Sequence, residues 1–263
     1  MLKFSRAATT LTQEQHSLPG APHSALTDQA WPGLTVFFPA YNDAVSLPGL
    51  IERTFTVLDK HAGDFEVIVV DDGSRDETPQ VLQRLQGFYG LRLRVITHPE
   101  NRGYGGALQS GFAAASKDFL FYTDGDGQYD VGELPKLVEM LTPDTCLVNG
   151  YKIARSDPRH RIWIGRIYNH FVRTLFHIRL RDIDCDFRLI KLSALRRVHL
   201  TSTSGTICVE LVRKLELSGA RVAEVPVHHY PRLHGRSQFF RARSIANTLG
   251  QLITLYFRLA AAE

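Results

Sequence analysis

The 263 residues, 44% apolar and 22% charged, have the composition of a globular protein with one large domain or one domain plus appendages, which excludes disordered and fibrous architectures. Three widely spaced cysteines, Cys146, Cys185 and Cys208, fit neither a metal-ligand spacing nor a closed disulfide framework and point to a reducing compartment. The net charge of +4 conceals a split: residues 1–150 hold 11 Lys and Arg against 19 Asp and Glu, and residues 151–263 hold 20 against 8, as if one half handled a cation and the other anions.

Residues 1–33 contain no continuous apolar run of the kind a secretory signal needs and are expected to form a flexible arm. Leu34–Phe38 reads as a strand that ends at Pro39, because proline cannot donate to a central ladder. Ser46 is placed to cap a helix whose apolar face includes Leu47, Leu50, Ile51, Val57 and Leu58. The alternation then continues with strands at Phe65–Val70, Leu93–Thr97, Phe119–Thr123 and Cys146–Tyr151, and helices at Pro79–Leu85, Ala107–Ser116 and Leu134–Leu141. This pattern predicts an α/β fold, a mostly parallel central sheet flanked by helices on both faces. Strands such as EVIVV, apolar on both sides, require such cover.

The second half changes character. His160–Arg181 and Arg241–Leu259 mix large apolar side chains with arginines, and both read as basic amphipathic helices able to lie in a membrane interface or to pack on the core with solvated arginines. The apolar stretch after Gly250 is shorter than the roughly 20 residues of a membrane span. Peripheral attachment is therefore expected.

Ligands of open α/β sheets bind beyond the carboxyl ends of the strands. Those ends carry Pro39-Ala-Tyr-Asn-Asp43, Asp71-Asp72-Gly-Ser74, Asn101-Arg-Gly-Tyr-Gly-Gly106 and Asp124-Gly-Asp126-Gly-Gln128. Asp124 and Asp126, with Gln128 beyond, offer hard oxygen ligands suited to Mg²⁺ or Mn²⁺ shared with substrate phosphates. A calcium EF-hand is excluded, since Tyr129 stands where its glycine belongs and Pro135 where its twelfth-position glutamate belongs. The glycine cluster lacks the third glycine of a dinucleotide fingerprint, no P-loop occurs, and no nucleophile elbow is present. His228 and His229 are adjacent on a strand and point to opposite faces, so they are poor joint metal ligands. Glu210, in a helical run, reads as a solvated surface residue, and Asp182 and Asp184 as partners of Arg179, Arg181 or Arg188. Nothing matches a nucleic-acid recognition motif, so nucleic acid is not an expected partner.

Five blocks in order resemble family 2 inverting glycosyltransferases of the GT-A fold, in particular the dolichyl- or polyprenyl-phosphate mannosyl- and glucosyltransferases. They are FFPAYND (37–43), VIVVDDGSRDET (67–78), NRGYGGAL (101–108), TDGDGQYD (123–130) and the later pair DIDCDFRL (182–189) with EVPVHHYPRLHGRSQF (224–239). The resemblance implies a GT-A nucleotide-diphospho-sugar transferase domain over 34–240, with a nucleotide-sugar and metal half at 34–150, an acceptor half at 151–240, and an amphipathic helix at 241–263. It assigns Pro39, Tyr41, Asp43, Asp71 and Asp72 to the base and ribose, and brings Gly103 and Gly105 close to the nucleotide. Asp126 and Gln128 become the metal ligands, with Asp124 on the ribose or sugar, and Asp124 and Asp126 also act in catalysis. Arg155, Arg166, Arg232 and Ser237 surround the lipid phosphate and diphosphate, Arg232 among the catalytic groups.

Three residues depart from the family pattern: Asp43 where Glu is usual, Asp186 where Gly is usual before Phe187-Arg188, and Gln238 where Lys follows the serine. The implied reaction moves a hexose, mannose from GDP-mannose or glucose from UDP-glucose, to a dolichyl or polyprenyl phosphate at the cytoplasmic membrane face. Such a phosphate monoester is mostly dianionic near neutral pH, with a second pKa of about 6, and needs no general base. A soluble or polysaccharide hydroxyl acceptor would need one, with Asp182, Asp184 or Glu210 as candidates. An inactive nucleotide-sugar-binding protein is the remaining alternative.

Overall fold

The computed structural model describes residues 31–153, 159–231 and 242–261, with the side chains of residues 162–231 and 247–261 in its second half. Seven strands form one sheet in the order β3-β2-β1-β4-β6-β5-β7. In chain order, β1 (Leu34–Ala40), α1 (Leu47–His61), β2 (Phe65–Asp71), α2 (Thr78–Tyr89) and β3 (Leu93–Thr97) build one wing. α3 (Tyr104–Ala114) returns the chain to β4 (Phe119–Thr123), on the other side of β1. Then follow α4 (Leu134–Val138), β5 (Thr145–Ile153), α5 (Arg159–Phe176), β6 (Phe187–Lys191), α6 (Leu192–Leu195), α7 (Ile207–Leu217), β7 (Arg221–His228) and α8 (Ala242–Ala260). β6 runs antiparallel to β4 and β5, and the other four pairings are parallel.

Alternate residues of the strands feed two cores. Phe37, Ile68, Val70, Leu120, Tyr122 and Ile190 face α3, α5, α7 and α8, whereas Val36, Phe38, Val67, Val69, Phe121 and Leu189 face α1, α2 and α4. Both faces are covered, which explains why these strands read as continuous apolar runs. The expected halves 34–150 and 151–240 share this one sheet. Residues 31–33 of the expected arm also belong to the fold: Trp31 stacks on His61, with centroids 5.1 Å apart, and Phe119 N–H donates to the Gly33 carbonyl.

The structure corrects several local readings. β1 continues through Pro39 to Ala40, paired in register with Val70 and Asp71. Asp72 N–H donates to Ala40, so the polar edge of Pro39 faces β4, beyond the last β1–β4 pair at Phe37–Tyr122, where no ladder bond needs its missing N–H. Ser46 precedes α1 but makes no side-chain cap; its Oγ donates to the Gly125 carbonyl at 2.7 Å, fastening the start of α1 to the loop after β4. α3 starts at Tyr104, three residues before the expected Ala107, and α4 stops at Val138, three before Leu141.

Candidate active site

The chain runs β1-β2-β3 to one side and resumes with β4 on the other, so the sheet has its topological switch between β1 and β4. Crevices open beyond the strand ends at such points. Here the loop 40–46 meets the loop 124–131. Gly125 N–H donates to the Pro39 carbonyl at 3.2 Å, and Asp43 Oδ2 accepts from Tyr41 N–H at 2.9 Å.

Four carboxylates gather at this crevice. Burial, followed by the charges of Asp186 and Asp126, pushes the Asp124 carboxyl well above its ordinary range; Asp43 acts in the same sense, and the Tyr104 hydroxyl, donating at 2.9 Å, opposes them. Among the described residues no three His, Cys, Asp or Glu side chains are gathered to hold an ion by themselves. A cluster of half-buried carboxylates without a complete ligand set fits a divalent cation that arrives with part of its oxygen shell supplied by a diphosphate. Asp126 Oδ1 accepts from Gln128 N–H at 3.0 Å, and Asp126 lines a cavity of about 370 Å³ with Val45, Leu50, Tyr129, Val131 and Tyr230.

The second strand end divides its two aspartates. Asp71 Oδ1 accepts from Ser74 N–H at 3.0 Å, whereas its buried Oδ2 has no partner among the described residues. Asp72 is engaged by the protein: Oδ1 lies 2.6 Å from His98 Nδ1 and accepts from Arg102 N–H at 2.8 Å, which ties β2 to the loop before α3. Asn42, at φ +59°, donates its N–H to Ser74 Oγ and accepts from Arg75 N–H, joining the first two strand ends.

The structure also shows what surrounds the remaining candidates. Gly103 and Gly105 approach protein backbone: a Cβ at Gly103 would sit 2.7 Å from the Thr203 carbonyl oxygen, and one at Gly105 2.3 Å from that of Ser202. Gly103 also has φ +80°, so glycine is required there on both counts. Asp182 is a buried staple between β5, α5 and the segment before β6, accepting from Asn169 Nδ2 at 3.1 Å and from the N–H groups of Lys152 and Asp184. Lys152 lies beside both Asp182 and Asp184: Nζ is 3.8 Å from Asp182 Oδ2 and donates to the Asp184 carbonyl. Arg188 meets Asp186 at 3.4 Å.

Glu210, expected on the surface, is fully buried; it accepts from Thr201 and Ser202 N–H and from Lys214 Nζ. It thereby holds the 201–203 loop on which α3 begins. Burial alone would raise its carboxyl, but these bonds bring it down to about 2. Glu210→Gln is therefore expected to lower unfolding free energy by about 2–3 kcal/mol at pH 7. A depressed folded-state pKa stabilises above the unfolded value of about 4.3 and loses its effect as pH falls through the folded one. The difference from the parent in urea melts should thus shrink between about pH 5 and pH 2.

Tyr104 and Asp186 were not identified as site residues from sequence. Tyr104 lay within a recognised glycine-rich block, and Asp186 was visible as a departure from the family pattern. Arg166 is on the exposed side of α5, while Arg155, Arg232 and Ser237 lie outside the described residues.

The family described as "Glycosyl transferase family 2" matches residues 35–200. An undecaprenyl-phosphate 4-deoxy-4-formamido-L-arabinose transferase of Pseudomonas aeruginosa is 28% identical over 84% of this chain, and glycosyltransferase AglD of Haloferax volcanii is 31% identical over 86%. The chain spans 64% and 37% of those two proteins. Among solved structures, a mannosyltransferase from Pyrobaculum calidifontis in complex with GDP-Man and Mn²⁺ superposes with a TM-score of 0.63 at 20% identity, covering 89% of this chain and 66% of that one. A glucosyl-3-phosphoglycerate synthase from Mycobacterium tuberculosis, in complex with Mn²⁺, UDP and phosphoglyceric acid, gives 0.64 at 19% identity, covering 84% and 78%. At these identities the structural likeness establishes the fold, which is GT-A.

Proposed function

Since this chain belongs to glycosyl transferase family 2, we propose that it is a metal-dependent inverting transferase moving a hexose, mannose or glucose, from GDP-mannose or UDP-glucose to a polyprenyl or dolichyl phosphate. The observation that carries the reading is the convergence of Asp43, Asp124, Asp126 and Asp186 at the β1–β4 switch point. The curated relatives' names, which specify undecaprenyl phosphate for the Pseudomonas protein, support the acceptor.

Asp126 and Gln128 would hold Mg²⁺ or Mn²⁺, which supplies Lewis-acid neutralisation of the diphosphate leaving group. Asp124, oriented by the Tyr104 hydroxyl, would take a ribose or sugar hydroxyl. The unpartnered Oδ2 of Asp71 suits an N–H of the nucleotide base, and Pro39, Tyr41 and Asp43 would frame the base and ribose. Asp72 would contribute by fixing the loop through His98 and Arg102. Arg155, Arg166, Arg232 and Ser237 would meet the acceptor phosphate and the diphosphate. The domain is read as 34–240, followed by the helix at 241–263.

The acceptor phosphate, already dianionic, would attack the anomeric carbon directly. A hydroxyl acceptor would demand a base, and Asp182 and Glu210 are buried in structural bonds. Asp184, which burial raises to about 7, is the candidate that keeps this second reading alive. Incubation with Mn²⁺, labelled donor and polyprenyl phosphate tests the assignment. An organic-phase product supports it; product only with a sugar acceptor, lost in Asp184→Asn, favours the second reading.

We place the protein peripherally on the cytoplasmic face of a membrane. Trp163, Ile164, Ile167 and Phe171 of α5 are exposed, as are Leu249, Ile253, Tyr256 and Phe257 of α8. The two helices meet through Phe176 and Tyr256, whose rings are 6.0 Å apart. Val172 and Leu255 pack inward, so each helix has a core face and an exposed apolar face. Among the described residues no helix is long and apolar enough to cross a membrane. Because burying one large apolar side chain is worth about 1.5–3 kcal/mol, Ile167→Glu with Phe257→Glu is expected to weaken binding to anionic vesicles at least about tenfold in co-sedimentation. Unchanged binding would remove these faces as the attachment surface.

A further inference from the structure

Two clasps join the loop after β4 to the end of β7. In the first, Tyr230 N–H donates to the Gln128 carbonyl at 2.8 Å and Gln128 Nε2 donates to the Tyr230 carbonyl at 3.0 Å. In the second, the Glu133 carboxylate takes His228 from two directions: its Oε2 accepts the His228 backbone N–H at 3.2 Å, and its Oε1 lies 2.5 Å from the imidazole Nδ1. Lys136 Nζ donates to the same carboxylate at 3.0 Å. Between the clasps, the Tyr129 and His229 rings meet edge to face at 5.1 Å.

Glu133 is 9% exposed, and burial alone would raise its carboxyl; the bonds from His228 and Lys136 outweigh that and hold it below its ordinary value. The carboxylate is thus ionised and occupied by charge-assisted donors, the stronger class of hydrogen bond. The bonded partners are 95 residues apart in sequence for the Glu133 clasp and 102 for the Gln128 clasp. The β4 loop carries Asp124 and Asp126, while the β7 end leads directly into the block containing Arg232 and Ser237.

We propose that Glu133 and His228 are positioning residues that fix the end of β7, through Tyr230, against the donor and metal loop, where the proposed function places the acceptor. The ligand assigned to each loop rests on the function proposed above; the mechanical coupling between the loops does not. Neither residue touches the reacting atoms in this scheme, and both act through the segments they join.

The test uses the full chain with Glu133→Gln, His228→Leu and His228→Asn. Misplacement of supporting groups typically costs 10–100-fold, so Glu133→Gln and His228→Leu are expected to raise KM for polyprenyl phosphate about tenfold, with kcat and the GDP or UDP affinity in Mn²⁺ within about twofold. His228→Asn, which retains a side-chain donor for Glu133, should recover most of the parent KM. Hydrogen exchange on the ligand-free protein supplies a readout independent of the reaction. Glu133→Gln should speed exchange of the Tyr230 amide and of residues 126–129 together, about tenfold or more. Exchange accelerated only at His228, or donor affinity and melting temperature falling in parallel with acceptor affinity, would overturn the proposal. No transfer by the parent chain to any polyprenyl phosphate would sink the acceptor reading, while the exchange result still decides the coupling.

Discussion

Asp126→Ala is expected to reduce transfer by about 10³-fold or more, roughly 4 kcal/mol of transition-state stabilisation, while the protein stays folded. Asp126 sits on a turn, half-buried, with Oδ1 accepting from Gln128 N–H. Its replacement removes a proposed oxygen ligand from the place where the diphosphate charge must be neutralised. The fold should survive because the turn keeps its other ties, Ser46 Oγ to Gly125 and Tyr230 N–H to Gln128. Removing the Asp126 charge also relieves one of the repulsions that raise Asp124. Asp126→Asn separates charge from shape, since the amide oxygen can still accept from Gln128; it should lose nearly as much activity with a smaller change in melting temperature. Full activity of either variant in Mn²⁺ would refute the metal assignment.

Arg188→Met should give the largest loss of stability, about 3–5 kcal/mol, with a fall in melting temperature on the order of 10 °C. Arg188 lies in β6, an interior strand between β4 and β5, with no exposure. Nε donates to Asn149 Oδ1 at 2.6 Å, Nη1 to the Tyr122 hydroxyl at 2.5 Å, and Nη2 to the Ile183 carbonyl, with Asp186 3.4 Å from Nη1. Methionine fills part of the volume but leaves three acceptors unmatched and strands Asp186 beside Asp124 without its cation. Arg188→Lys keeps the charge but not the fork, so it should be intermediate. If the uncompensated carboxylate dominates, adding Asp186→Asn to Arg188→Met should recover part of the stability in urea melts. Additive losses would assign the cost to the unmatched Asn149, Tyr122 and Ile183 instead.

The same residues show why some of the site could be read directly and some could not. Leu93–Thr97 and Phe119–Thr123 were placed to the residue, because a buried parallel strand is written as a short apolar run between turn residues. The Asp124-Gly-Asp126 motif was equally visible, since its chemistry lies within three consecutive residues. Asp186 was seen only as an oddity, and its importance rests on a neighbour 62 positions away. Glu210 followed a helical pattern that suits a solvated residue; its burial was decided by the 201–203 loop folding over it.

By itself, then, the chain's order of apolar runs determined the alternating α/β plan, the strand ends that carry polar clusters, and the acidic and basic halves. Tertiary structure alone decided the antiparallel insertion of β6, the passage of β1 through Pro39, the packing of Gly103 and Gly105 on Ser202 and Thr203, and the clasps of Gln128 and Glu133 on the end of β7. The physical reason is range. Hydrophobic periodicity is a local code for which face of an element is buried, whereas the partner of a carboxylate or the neighbour of a glycine is selected by pairings between distant segments that no local pattern records.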